Sequence, residues 1–201
     1  MREAQGGGGS GASVAEVRAR EQAAGAAAER SQWYHGEPQS GDGVALTQDM
    51  TFDGKTLRLF EPQTMTDAYM TPNRALIGEW PAVSGREGYQ SPANQRVSRQ
   101  GPIPAGDYLA RQARLQSISS GDKTLGLIGR GEWPGGIRAW GDHRLWLEPL
   151  SGTDTFGRGG FSIHGGTSFG SAGCIDCAGG MNSFAGQFRL LNQDLTLRVQ
   201  Y

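Results

Sequence analysis

Gly159-Gly160-Phe161-Ser162-Ile163-His164-Gly165-Gly166-Thr167-Ser168-Phe169-Gly170-Ser171-Ala172-Gly173-Cys174-Ile175-Asp176-Cys177 reads as a short strand ending in a histidine, a glycine-rich loop, and a cysteine that opens a helix. Each part has a chemical use. A free thiol with a pKa near 8.5 is only about 3 % ionised at neutral pH, so a working cysteine needs help. A helix N-terminus would offer partial positive charge to the thiolate. A nearby imidazole can take the thiol proton and later return it to a leaving amine. Backbone N–H groups around Gly173 and Cys174 would offer donors to a developing oxyanion.

Around this segment the chain is rich in β-like text. Val44 to Met50 and Thr56 to Glu61 flank a turn at Asp53-Gly54, where Asp-Gly supplies the positive φ of a hairpin. Leu76 to Val83, Asp107 to Leu115, Ile137 to Trp140, Arg144 to Leu147, Phe161 to His164 and Leu195 to Tyr201 are further expected strands. Cys174 to Leu191 is the one helical stretch of the body, shortened or broken by Gly179, Gly180 and Gly186. The expectation is a mainly antiparallel β-sandwich or open barrel over residues 41–201. Residues 1–40 differ: Gly6 to Gly11 reads as a flexible linker, and Ala12 to Arg30 as an alanine-rich helix or tail with little to pack.

Composition narrows the function classes. Glycine accounts for 33 of 201 residues, well above the usual ~7 %, which many tight turns between short strands explain. Nineteen basic and twenty acidic residues give a net charge of −1 with no basic stripe, so nucleic acid is not an expected partner. No stretch approaches the ~20 apolar residues of a membrane span. Met1 to Gln32 holds no Leu, Ile, Phe or Trp, hence no apolar core of a secretory signal. Two cysteines are too few for a disulfide scaffold.

Three other readings stand beside catalysis. Cys174 and His164 are each, alone, ordinary buried residues. Cys174-x-x-Cys177 has the spacing of a redox dithiol, although glycine and alanine surround it in a β-rich chain. His164, Cys174 and Cys177 are also zinc-ligand types. Nucleobase deaminases need a Glu two residues after the His and a Pro before the first Cys, where this chain has Gly166 and Gly173. A closed zinc site would draw its fourth ligand from His35, His143 or a carboxylate.

Ile163-His164-Gly165 followed by Ser171-x-Gly173-Cys174-Ile175 resembles the signature of YkuD-like L,D-transpeptidases, β-rich cysteine enzymes of bacterial peptidoglycan. The ten-residue step from His164 to Cys174 is closer to a branch of antibacterial effectors delivered by type VI secretion. Phe52 to Leu57, Trp80 to Gly85 and Gly101 to Tyr108 agree with that branch, and the resemblance runs over roughly residues 44–201. It implies Cys174 as nucleophile, His164 as base, the Gly165 carbonyl as the group that orients the imidazole, and Ser171 and Gly173 as shapers of the loop and oxyanion site.

The chain departs from the family pattern twice. Ala172 stands where many members have a second His, and Asp176 where Arg or Asn is common. Arg158, Arg138 and Arg130 are then candidates for a substrate carboxylate, with Asp176 among the substrate-side positions. The resemblance implies no cofactor or metal. It implies peptidoglycan stem peptides and D-amino acids as substrates, with a cognate immunity protein and a secretion adaptor as partners. It also implies export by a route without a signal peptide and action in a target cell's periplasm. A cell-wall-binding module without turnover is the alternative.

Overall fold

The computed structural model describes residues 48–62, 74–167 and 169–201. The expected tail over 1–40 and residues 44–47 of the first expected strand lie outside them. Nine strands form one sheet: β1 Met50–Phe52, β2 Thr56–Phe60, β3 Leu76–Pro81, β4 Val83–Ser84, β5 Gly106–Ser117, β6 His143–Pro149, β7 Ser162–His164, β8 Ile175–Asp176 and β9 Leu195–Val199. Their order is β3-β2-β1-β9-β5-β6-β7-β8-β4. The two edges of this sheet, β3 and β4, are separated in sequence only by Ala82. A sheet whose edges are joined by one residue must curl on itself, and the result is a nearly closed, barrel-like sheet.

Local chemistry sets the elements. Asp53 Oδ1 accepts from the N–H groups of Lys55 and Thr56, and Gly54 takes φ +91°, so β1 and β2 pair antiparallel as an Asp-Gly hairpin. β1 pairs parallel with β9, and buried Asp49 ties the junction by accepting from both Thr196 N–H and Thr196 Oγ1. Among the described residues the α-helices are α1 Ser120–Leu127, α2 Gly136–Trp140 and α3 Met181–Leu191. On α3, Met181, Phe184, Ala185 and Phe188 are buried, an i, i+3, i+4, i+7 stripe. Phe184 meets Trp80 edge-on at 5.3 Å, linking the helix to β3. Around this stripe gather Phe52, Leu57, Leu59, Tyr108, Leu145, Ile163, Ile175 and Leu197.

Three expectations are corrected. Ile137 to Trp140 is helix, not strand: a four-residue run is too short for alternation to decide, and Gly135 and Gly136 at positive φ turn the chain into a helical turn. The helix expected from Cys174 begins only at Met181. Ile175 and Asp176 instead form β8 between β7 and β4, and Cys177 N–H donates to the His164 carbonyl. Leu76 to Val83 is two strands broken at Ala82. Helix α1 was signalled by Ser119 and Asp122, whose reciprocal hydrogen bonds cap it, but in isolation that signal is short.

Truncating Phe184 to alanine removes the ring that joins α3 to β3, and is expected to cost about 3–5 kcal/mol. Chemical denaturation of wild type and Phe184→Ala measures this; a loss under about 1 kcal/mol would contradict the packing described.

Candidate active site

The register of β6, β7 and β8 builds the site. Arg144 pairs with His164, Trp146 with Ser162, and His164 with Asp176. Residues paired across neighbouring strands leave the sheet on the same face, and alternate residues leave on opposite faces. One face therefore carries Arg144, Trp146, Ser162, His164 and Asp176. The other carries Leu145, Ile163, Ile175 and Cys177, all in the apolar core.

Cys174 joins the polar face. Its sulfur receives a hydrogen bond from Ser162 Oγ at 3.3 Å, and as a thiol points to the Gly160 carbonyl at 3.6 Å. The Ser162 backbone N–H also favours the thiolate. His164 Nδ1 lies 2.6 Å from the Gly165 carbonyl and Nε2 3.0 Å from Ser171 Oγ. A carbonyl only accepts, so Nδ1 carries a hydrogen and Nε2 is the basic nitrogen. Trp140 leans on the imidazole, ring centroids 5.1 Å apart, and its carbonyl accepts the Gly165 N–H.

Burial alone would disfavour charge on both groups. Their hydrogen bonding and mutual attraction outweigh it: the His164 imidazole is raised above an ordinary histidine, and the Cys174 thiol is lowered below an ordinary cysteine. Both shifts favour the thiolate–imidazolium form, in which sulfur attacks a carbonyl. The sequence matches no family model and no curated protein.

The loop residues have distinct jobs. Gly173 sits at φ +88°, and a Cβ there would come within 2.6 Å of Arg158 Nη2. A Cβ on Gly165 would meet the Ala178 carbonyl at 2.8 Å, so the chain beside His164 passes close under the entry to α3. Ser171 holds the imidazole from the loop side, and its carbonyl accepts the Gly85 N–H, tying the loop to the end of β4.

Two expected substrate-side residues have partners within the protein. Asp176 is buried, with Oδ1 accepting from Ala178 N–H and Oδ2 from Gly170 N–H, so it braces the loop and supports the imidazolium. Arg158 donates to the carbonyls of Gln95, Gly101 and Pro102, pinning that turn beside Gly173. Arg138 is exposed on α2, with its carbonyl holding Thr167 N–H, and remains at the loop's border. Arg130 is exposed between α1 and α2. The expected help from a helix N-terminus is also corrected, because β8 follows Cys174.

Cys177 is 2 % exposed in the core, and burial pushes its thiol far up. The two cysteines thus leave opposite faces, which disfavours a dithiol pair. Among the described residues no three His, Cys, Asp or Glu side chains converge as metal ligands. Ser162 and Arg144 were missed in the sequence, although the alternation Phe161-Ser162-Ile163-His164 already placed Ser162 on the histidine's face.

Cys174 is expected to react with iodoacetamide below the pH range of an ordinary thiol, while Cys177 stays unmodified until the protein unfolds. Peptide mapping across a pH series reads this. Equal labelling of both cysteines in the folded protein would contradict the two-faced geometry.

Proposed function

We propose that this chain is a cysteine acyltransferase or peptidase of the L,D-transpeptidase type, acting on peptidoglycan stem peptides. The observation that carries the reading is the buried Cys174–His164 pair, with each group shifted toward its charged form and Nδ1 of the imidazole fixed by the Gly165 carbonyl. That is the orientation the resemblance implies for these residues, and a nearly closed β-rich sheet is compatible with it.

In this reading the thiolate attacks the carbonyl of an L,D-peptide bond, and its electron pair forms the C–S bond as the C=O pair moves to oxygen. The intermediate collapses, the C–N bond breaks, and His164 as imidazolium gives its Nε2 proton to the departing D-alanine amine. The thioester then meets water, a free D-amino acid or a stem side-chain amine. His164 takes the acceptor's proton, and the C–S pair returns to sulfur. These acceptors give carboxypeptidase, exchange and cross-linking products. Arg138, exposed beside Thr167, and Arg130 are candidates to meet a substrate carboxylate.

The same reading makes the chain an antibacterial effector of type VI secretion, active in a target cell's periplasm and kept in check by an immunity protein. Trimming or miscapping tetrapeptide stems would deprive the target's cross-linking enzymes of donors.

Muropeptides incubated with the protein and followed by mass spectrometry test this. Loss or exchange of terminal D-alanine is expected with wild type and with Cys177→Ser. It should fall at least about 10³-fold, the scale seen when a nucleophile is removed, in Cys174→Ala and His164→Ala. Binding without any change of mass would favour a cell-wall-binding module instead.

A further inference from the structure

Arg144 is fully buried, and its charge lacks a carboxylate partner among the ion pairs of the described residues. Nε donates to Gln116 Oε1 at 2.7 Å and Nη1 to the Glu132 carbonyl at 2.9 Å. Nη2 is buried with no hydrogen-bond partner. Three indoles enclose the guanidinium: Trp133 at 4.1 Å, Trp146 at 4.6 Å and Trp140 at 5.0 Å from ring centroid to Cζ. A buried cation is normally paired, and an orphaned buried N–H asks for an explanation.

Its place in the sheet supplies one. Arg144 is the β6 neighbour of His164, and Trp140 lies against both side chains. Trp146, also against the guanidinium, is the β6 neighbour of Ser162, whose hydroxyl donates to the Cys174 sulfur. The charged groups of this region are His164 on β7, which acts on the sulfur, Asp176 on β8, which acts on His164, Arg144 on β6, on which the sulfur acts, and Arg158, whose Nη2 abuts Gly173. Glu132 and Asp122 act on Arg144 from the α1–α2 side. Asp176 is turned to the N–H groups of Gly170 and Ala178. On this face the group left to act on Arg144 is the Cys174 sulfur, second to Glu132 on the far side of the guanidinium.

We propose that Arg144 is a positioning residue for Cys174: a fixed positive charge, kept dry by Trp133, Trp140 and Trp146, that holds the sulfur ionised together with His164. The proposal rests on Cys174 being the reactive thiol, but not on the identity of its substrate. Acylation would neutralise the sulfur and leave Arg144 with only Glu132 and Asp122 acting on it. Attack on the thioester carbon breaks the C–S bond and returns the electron pair to sulfur, so the same cation favours deacylation.

The pH dependence of Cys174 alkylation by iodoacetamide, read by intact mass and peptide mapping, tests the proposal without peptidoglycan. In Arg144→Gln the reactivity midpoint should rise by about one pH unit or more, a roughly tenfold slower reaction below both midpoints. Its rate at high pH should equal or exceed wild type, since a more basic thiolate is the better nucleophile. Arg144→Lys, which keeps the charge, should recover most of the shift. Trp133→Leu, which retains Arg144 but lets water reach it, should raise the midpoint by a smaller step, and it decides the matter if Arg144→Gln does not fold. An unchanged midpoint in either variant, with wild-type circular dichroism, overturns the proposal. A shifted midpoint in a protein inert toward muropeptides would keep the proposal and remove only the peptidoglycan reading.

Discussion

The register of three short strands, β6, β7 and β8, determines both the interior and the site. Hydrogen bonds fix Leu145 beside Ile163 and Ile163 beside Ile175, and these apolar residues fill the core. The same bonds necessarily align Arg144, His164 and Asp176 on the opposite face. A slip of one residue would exchange the two sets, burying an arginine, a histidine and an aspartate in hydrocarbon. Core packing therefore enforces the alignment of the chemical groups. The hydrophobic effect acts on Leu145, Ile163 and Ile175, and the site inherits its geometry from them.

Closure of the sheet gives that alignment its rigidity. Because Ala82 alone separates the two edge strands, β4 is brought against β8, and the strand that follows Cys174 is paired on both sides. The loop before it is held from several directions: by Gly85 to Ser171, by Trp140 to Gly165, and by Asp176 to Gly170. Gly165 lies within contact of the entry to α3, whose buried stripe anchors it to the core. Such support matters for chemistry, since a reacting group misplaced by about 1 Å can lose a hundredfold in rate. Arg158 extends the frame outward, binding the 95–102 turn to the back of Gly173.

Much of this frame is legible in the sequence where a signal is local. The Asp53-Gly54 hairpin follows from turn chemistry, and the alternation of Arg144 to Leu147 and Leu195 to Val199 marks strands. His164 and Cys174 stand out because a histidine and a cysteine flank a loop dense in glycine. What escaped depends on partners distant in the chain. Ile175-Asp176 becomes a strand because β7 and β4 offer it hydrogen bonds on both edges, whereas its local text continues into a helix. Ile137 to Trp140 has no periodicity long enough to choose, and its helical turn lets Trp140 reach both His164 and Arg144. The protein partners of Arg158 and Asp176 also escaped, because sequence shows charge without showing what the charge meets.

The charges of the site form a balanced set in a place where single charges would be costly. Moving one ion out of water costs several kcal/mol even after relaxation, so an isolated buried charge usually neutralises. Here Asp176 favours the imidazolium form of His164, that form favours ionisation of Cys174, and Glu132 and then the Cys174 sulfur favour the buried guanidinium. Burial still draws Arg144 down to about 10, so the compensation is incomplete while its environment stays dry. Aromatic faces offset part of the deficit, since a cation over indole gains electrostatically without requiring a fixed anion. A carboxylate in that position would have satisfied Arg144 better and left it indifferent to the sulfur. In the proposed role, the indoles around the arginine leave it sensitive to the charge on Cys174 instead of to a fixed anion.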